Sequence, residues 1–122
     1  MTYSNTSTYF TAAKDLTSNT GGASADVVYT CPTGFVALIK FIHVSNGATS
    51  SKKYSIQWYE NSTTTYHFLV DDHSLSANSL KDVVAGGSCI ALQAGDKIVA
   101  HEESGGDFHI VVSGEEYFNP GV

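Results

Sequence analysis

Arginine is absent from this chain of 122 residues, and six lysines stand against twelve carboxylates, giving a formal net charge of −6. The guanidinium fork is the usual reader of phosphates and guanine edges, and no basic stripe takes its place. Nucleic-acid binding is therefore excluded as the main task, since an acidic surface repels a polyanion. Cysteine is scarce: Cys31 and Cys89 are the only two. They match no paired metal or redox motif and are expected to be free, buried thiols acting as small apolar groups. Long hydrophobic runs are missing. The richest stretch, Phe35 to Val44, contains Lys40 and His43 and falls far short of the roughly 20 apolar residues that span a bilayer. The opening MTYSNTSTYF has neither the basic start nor the apolar centre of a secretory leader. The expectation is a chain made and assembled in a cytoplasm, with no membrane partner. Helical spacing is also lacking: no segment of about ten or more residues places apolar groups at i, i+3, i+4 and i+7.

What remains is a succession of β-runs joined by Gly, Asn, Asp and Ser. Asp26 to Cys31 reads as a strand, and Pro32-Thr33-Gly34 as a turn. Phe35 to Ser45 follows, with Phe35, Ala37, Ile39, Phe41 and His43 expected on one face. Val36, Leu38, Ile42 and Val44 are expected on the other with Lys40. Apolar groups on both faces indicate a central strand, or one whose outer face meets a partner. Lys53 to Glu60 and Thr64 to Val70 alternate and form an aromatic hairpin, with Tyr54, Trp58, Tyr66 and Phe68 expected in the core. Asp71-Asp72-His73 is read as an irregular connection. Ser79 to Ala85, Ser88 to Leu92, Lys97 to His101 and Phe108 to Ser113 complete the set. The pattern predicts an all-β, antiparallel β-sandwich of about eight strands, in jelly-roll or immunoglobulin-like order. Residues 1–24, rich in Thr, Ser and Asn, are expected to be a polar N-terminal arm holding at most one short strand at Tyr9 to Ala13. Residues 25–122 are expected to form a single β-sandwich domain.

No arrangement of chemistry-bearing residues points to catalysis. HExxH, GxSxG, an EF-hand loop and a phosphate-cradling glycine loop are all missing. His67, Asp71, Asp72 and His73 cluster in sequence, as do His101, Glu102 and Glu103, but an extended chain does not bring three or four of them to one point. Adjacent carboxylates such as Glu115-Glu116 face opposite ways along a strand, which defeats a two-carboxylate glycosidase reading. His43 and His109 fall at apolar-rich positions and are read as hydrogen-bonded core or interface histidines. No catalytic, cofactor or metal residue is therefore assigned, and the chain is expected not to be an enzyme. The interface candidates are Tyr9 and Phe10 in the arm, Tyr59 on the polar face of the hairpin, and Phe118 near the end.

Two segments, VVYTCPTGFVALIKFIHVSNG and LQAGDKIVAHEESGGDFHIVVSGEE, resemble small β-sandwich virion proteins of tailed bacteriophages, of the cyanophage and marine phage type. The shared features are the Val28 to Gly34 turn, Ser45-Asn46 at the end of the long strand, the Tyr54 to Phe68 hairpin, and Leu92 to Ile98. Together they cover about residues 25 to 117. The resemblance implies a capsid decoration or cement protein that bridges major-capsid subunits, self-associates, and sits on the capsid exterior or in the tail. A tail, baseplate or fibre component is the alternative within that class, and a carbohydrate-binding module using Tyr59 the alternative outside it. In this reading the arm clamps a neighbour by adding Tyr9 to Ala13 as a strand.

Overall fold

The computed structural model describes residues 7–119, which form two antiparallel β-sheets packed face to face. The strands are β1 (Ser7–Asp15), β2 (Asp26–Thr30), β3 (Phe35–Asn46), β4 (Lys52–Glu60), β5 (Thr65–Leu75), β6 (Ser79–Val84), β7 (Ile90–Leu92), β8 (Lys97–Glu102) and β9 (Phe108–Phe118). Sheet A has the order β1-β9-β3-β6, with β7 also paired to β3; sheet B has the order β2-β8-β4-β5. The chain changes sheet after nearly every strand, so β9 lies between β1 and β3 while β8 lies between β2 and β4. That order is a jelly roll of two Greek keys and differs from the immunoglobulin arrangement. Among the described residues the only helical element is the turn Gly22–Ser24.

The core follows from alternation on the central strands. Ile39, Ile42, Val44, Ile56, Ile98, Ile110 and Val112 are each no more than 1% exposed. Burying side chains of this size stabilises the fold by about 1.5–3 kcal/mol apiece.

The long strand β3 departs from the expected alternation. Its partner register with β9 shifts between Ile39 and Phe41, so Lys40 is the extra residue of a β-bulge. Before the bulge Ala37 and Ile39 are buried; after it Ile42, Val44 and Asn46 are. Phe41 and His43 therefore turn outward, away from the face that strict alternation predicts for them. Opposite the bulge lies Gly114, where an added Cβ would run into the Leu38 carbonyl. Only glycine permits the two backbones to approach so closely.

β5 differs as well. It continues through Asp71, Asp72 and His73 to Leu75, and irregularities in its pairing with β4 absorb the residues read as a connection. Asp72 sits at φ 46°, and its backbone N–H donates to Ser55 Oγ at 2.9 Å.

The described part of segment 1–24 belongs to the sandwich. β1 pairs along its whole length with β9 of the same chain, and Leu16 joins the core. Thr17 and Ser18 N–H groups donate to the Asp26 carboxylate at 2.7 and 2.9 Å. Gly22 N–H donates to Gln57 Oε1 at 2.9 Å. The segment thus seals the outer side of sheet B, where Gln57 and Val99 are buried. The strand addition expected on a neighbour is made within the chain.

Cys31 is buried and Cys89 exposed, both as free thiols, so Cys89 departs from the expected burial. Burial raises the Cys31 thiol to about 11, with Glu116 and Asp96 adding to the effect.

Candidate functional site

Most antiparallel sandwiches present polar outer faces to water, and the outer face of sheet A does so only in part. Alternation on β9 buries Ile110 and Val112 and leaves Val111, Ser113, Glu115 and Tyr117 on the other side. Val36, Leu38 and Phe41 project outward from β3 and are half-buried by their neighbours. At the flanks stand Tyr9 on β1, 79% exposed, and Leu80 on β6, 65% exposed. Apolar side chains on four strands are thus interleaved with polar and charged ones, and a hollow of about 260 Å³ lies beside Tyr9, Thr11, Lys40 and Ser113.

The charges on this face are paired among themselves. The bulge aims Lys40 at Glu115, with Nζ 3.0 Å from Oε2, and the Tyr117 hydroxyl donates to the same oxygen at 2.6 Å. The Tyr117 hydroxyl and Lys40 hold the Glu115 carboxyl below its ordinary range, and Glu115 in turn raises Lys40. His43 Nδ1 lies 2.8 Å from Asp82 on β6. His109 Nδ1 lies 2.5 Å from Asp15 on β1, and its Nε2 lies 3.1 Å from Asp107. Hydrogen bonding to Asp15 raises the imidazole above its ordinary value, against some opposition from burial.

A second aromatic group lies on the outer face of sheet B, half-buried at Tyr59 and Tyr66. Tyr59 and Tyr66 are opposed in the hairpin with ring centroids 4.7 Å apart, and the Lys97 ammonium lies 5.4 Å from the Tyr59 centroid. Phe68, expected in the core, is 52% exposed nearby. Trp58 faces the other way; its indole N–H donates to Asp96 at 3.2 Å, and His67 stacks on its ring at 4.8 Å. A third feature is the open side of the sandwich between β5 and β6. This cleft of about 310 Å³ is lined by Tyr54, Leu69, Val70, Asp71, His73 and Lys81 among others.

The four interface candidates are scattered by the fold. Tyr9 stands on the outer face of sheet A. Phe10, next in sequence, faces inward and stacks on Tyr29 at 4.2 Å, so it is part of the core packing and offers no external grip. Tyr59 stands on the outer face of sheet B. Phe118 meets Phe35 edge-on at 5.7 Å, at one end of the sandwich, and is 49% exposed. The doubly apolar pattern of β3 signals Leu38 and Phe41, whereas Val111 on β9 and Leu80 on β6 join them only through the fold.

The clustered polar residues do not converge. Among the described residues no three His, Cys, Asp or Glu side chains gather as a metal-holding group. Glu102 is buried, which raises its carboxyl above the ordinary range, and it accepts the Phe108 N–H at 3.1 Å. Its neighbours on the inner side are apolar, in keeping with a structural role.

No family model matches the chain, and no curated protein does. Among solved structures it is similar to the globular domain of zebrafish complement 1qA protein, at 16% identity and a TM-score of 0.44 over 87% of this chain and 94% of that one. It is also similar to a structure described as Bacillus endospore appendages that form a novel family of disulfide-linked pili. There the identity is 14% and the TM-score 0.43, over 96% of this chain and 92% of that one.

Proposed function

We propose that this chain is a structural component of a tailed-phage virion, a decoration or cement protein that works by covering a sheet face against neighbouring subunits. The observation that carries the reading is the outer face of sheet A, whose apolar side chains stand outside the chain's own core. Its charges are already matched, so burying them leaves few unpaired. Such a protein needs buried area and no chemical step, with apolar contact contributing about 25 cal/mol per Å². The acidic surface suits an exterior position, away from packaged DNA. The sequence resemblance to small phage virion proteins supplies the choice of assembly.

The test is quantitative mass spectrometry of purified particles of the phage that encodes the chain. Many copies per particle are expected, and absence from the particle overturns the reading. Deleting residues 1–24 is a poor probe, because it removes β1 and Leu16 from the fold. Charged substitutions at Tyr9 and Leu80 are better, since both side chains are already exposed.

A second reading rests on the Tyr59, Tyr66 and Phe68 group, which offers aromatic faces to a sugar ring. Glycan-array binding that disappears with Tyr59→Ala supports a carbohydrate-binding role, and a blank array removes it.

A further inference from the structure

We infer that the outer face of sheet A docks a second copy of this chain, and that mild acid strengthens the contact through His109. The inference rests on the reading above that this face is meant to be covered, and it adds the occupant and the control.

Size comes first. β9 has 11 residues, or about 36 Å of extended chain, and four strands at ~4.8 Å span about 19 Å. The face is then about 700 Å² in plan, close to the ~800 Å² per partner of a standard interface. It is large enough for one stable contact.

Charge selects the occupant. The chain carries a formal −6, so two copies repel except where the touching surfaces are balanced. On this face the carboxylates of Asp15, Asp82, Asp107 and Glu115 are met by Lys40, His43 and His109. Four carboxylates thus stand beside three basic side chains, and a protonated His109 brings the face closer to balance. A basic partner would find stronger attraction on the acidic remainder of the surface, whereas a nearly balanced face suits its own copy. An isologous contact places this same patch on both sides.

Geometry makes the balance depend on protons. Both ring nitrogens of His109 face carboxylate oxygens, Asp15 on β1 and Asp107 in the turn before β9. Ionised carboxylates only accept, so both contacts are hydrogen bonds only when the ring carries both protons. From β3 the residue opposite His109 is the uncharged Ser45; Glu102, the other charge that it feels, is buried in the core. His43 faces Asp82 on β6 and Val111 on β9, and Phe41 stacks beside it at 5.9 Å. Deprotonating the His109 ring leaves one of its two carboxylates without a donor, and docking would then bury that charge at a cost.

Sedimentation velocity of the full chain, over a concentration series at about pH 5.5 and about pH 8, tests both parts. Reversible self-association is expected at the lower pH and roughly tenfold weaker association at the higher. Tyr9→Lys with Leu80→Lys is expected to leave the fold intact by circular dichroism and the chain monomeric at both pH values. His109→Gln is expected to remove the pH dependence. A wild-type chain that stays monomeric at both pH values overturns the inference, as does association indifferent to the face variant. Association whose pH dependence survives His109→Gln overturns the proton control. A chain monomeric in solution yet abundant on the particle leaves the virion reading standing without this inference. A self-associating chain missing from the particle does the reverse.

Discussion

Asp96 shows how one buried carboxylate fixes the corner where three turns meet. It is 2% exposed and accepts from the Gln93 N–H at 3.1 Å, the Asn61 N–H at 2.9 Å and the Trp58 indole at 3.2 Å. Its own backbone carbonyl accepts from Cys31 N–H at 2.9 Å. The hairpin tip, the β7–β8 turn and the β2–β3 corner are thus held through a single residue. In Asp96→Ala three donors lose their acceptor. With part of the loss recovered by water, a destabilisation of about 2–4 kcal/mol is expected by urea denaturation. A loss below about 0.5 kcal/mol, ordinary for a surface change, contradicts this role. Two other residues contribute to the pH dependence of stability in opposite senses. Burial pushes Asp26 upward, but hydrogen bonds from Ser18 and Thr17 outweigh it and hold the carboxyl below 3.8. Its contribution is therefore complete above pH 3.8 and is lost as pH falls through the depressed folded value. His109 works in the opposite sense. Asp15 raises it above 6.5, so its contribution is complete below pH 6.5 and fades as pH rises through the folded value. Thermal denaturation at monomeric concentrations is expected to show a shallow loss of stability as pH rises above 6.5 through the folded value. His109→Gln is expected to flatten that limb and leave the acid limb unchanged, and an unaltered alkaline limb counts against it.

At the level of elements, β3 carries the most information and also the main error of a sequence reading. Its apolar residues on both faces correctly marked a strand at the centre of a sheet, with β9 on one side and β6 and β7 on the other. A strict period of two nevertheless sends Phe41 and His43 to the wrong face, because nothing in the sequence around Lys40 announces a bulge. Bulges are set by the facing strand, here by Gly114, which is 75 or so positions away and pairs only after the fold closes. The same limit applies to β5, where Asp71 and Asp72 look like loop residues. A register irregularity and a residue at φ 46° keep them in the strand. It applies also to β1, whose Thr-rich sequence gives no hint that β9 lies beside it. The candidate surface was accordingly legible as a surplus of apolar residues on β3, while its other half came from strands that sequence order keeps apart. Gly114 tests this account. Gly114→Ala places a methyl against the Leu38 carbonyl and the Ile39 backbone, groups that cannot rotate away. A destabilisation of about 1–3 kcal/mol is expected from overpacking. A neutral result in urea denaturation means that β3 and β9 lie farther apart at the bulge.

Across the whole molecule the two sheets share one core. Residues from β2, β3, β4, β8 and β9 join a single buried cluster, and the chain crosses between sheets too often for either sheet to separate alone. Unfolding is therefore expected to be cooperative, as in most single domains of this size. The two thiols provide a direct check, because the fold treats them differently. Cys89 is exposed and Cys31 is 1% exposed, with its thiol raised to about 11 by burial. Thiolate is the reactive form, so Cys31 is protected twice, by access and by protonation. Its N–H and carbonyl are also bonded to Asp96 and Gly95 at 2.9 Å each, which ties the β2–β3 corner to the β7–β8 turn. A thiol reagent added to the native chain is expected to modify one cysteine promptly. The second should react only at the rate of global opening, with the same denaturant dependence as loss of tertiary signal. If Cys31 instead reacts early and without denaturant dependence, that corner opens locally while the sandwich stays folded, and the single-core description fails there. Agreement of the two rates would instead make Cys31 a reporter of how much a covered sheet A stabilises the assembled protein. Docking that binds only the folded state must slow its labelling by mass action.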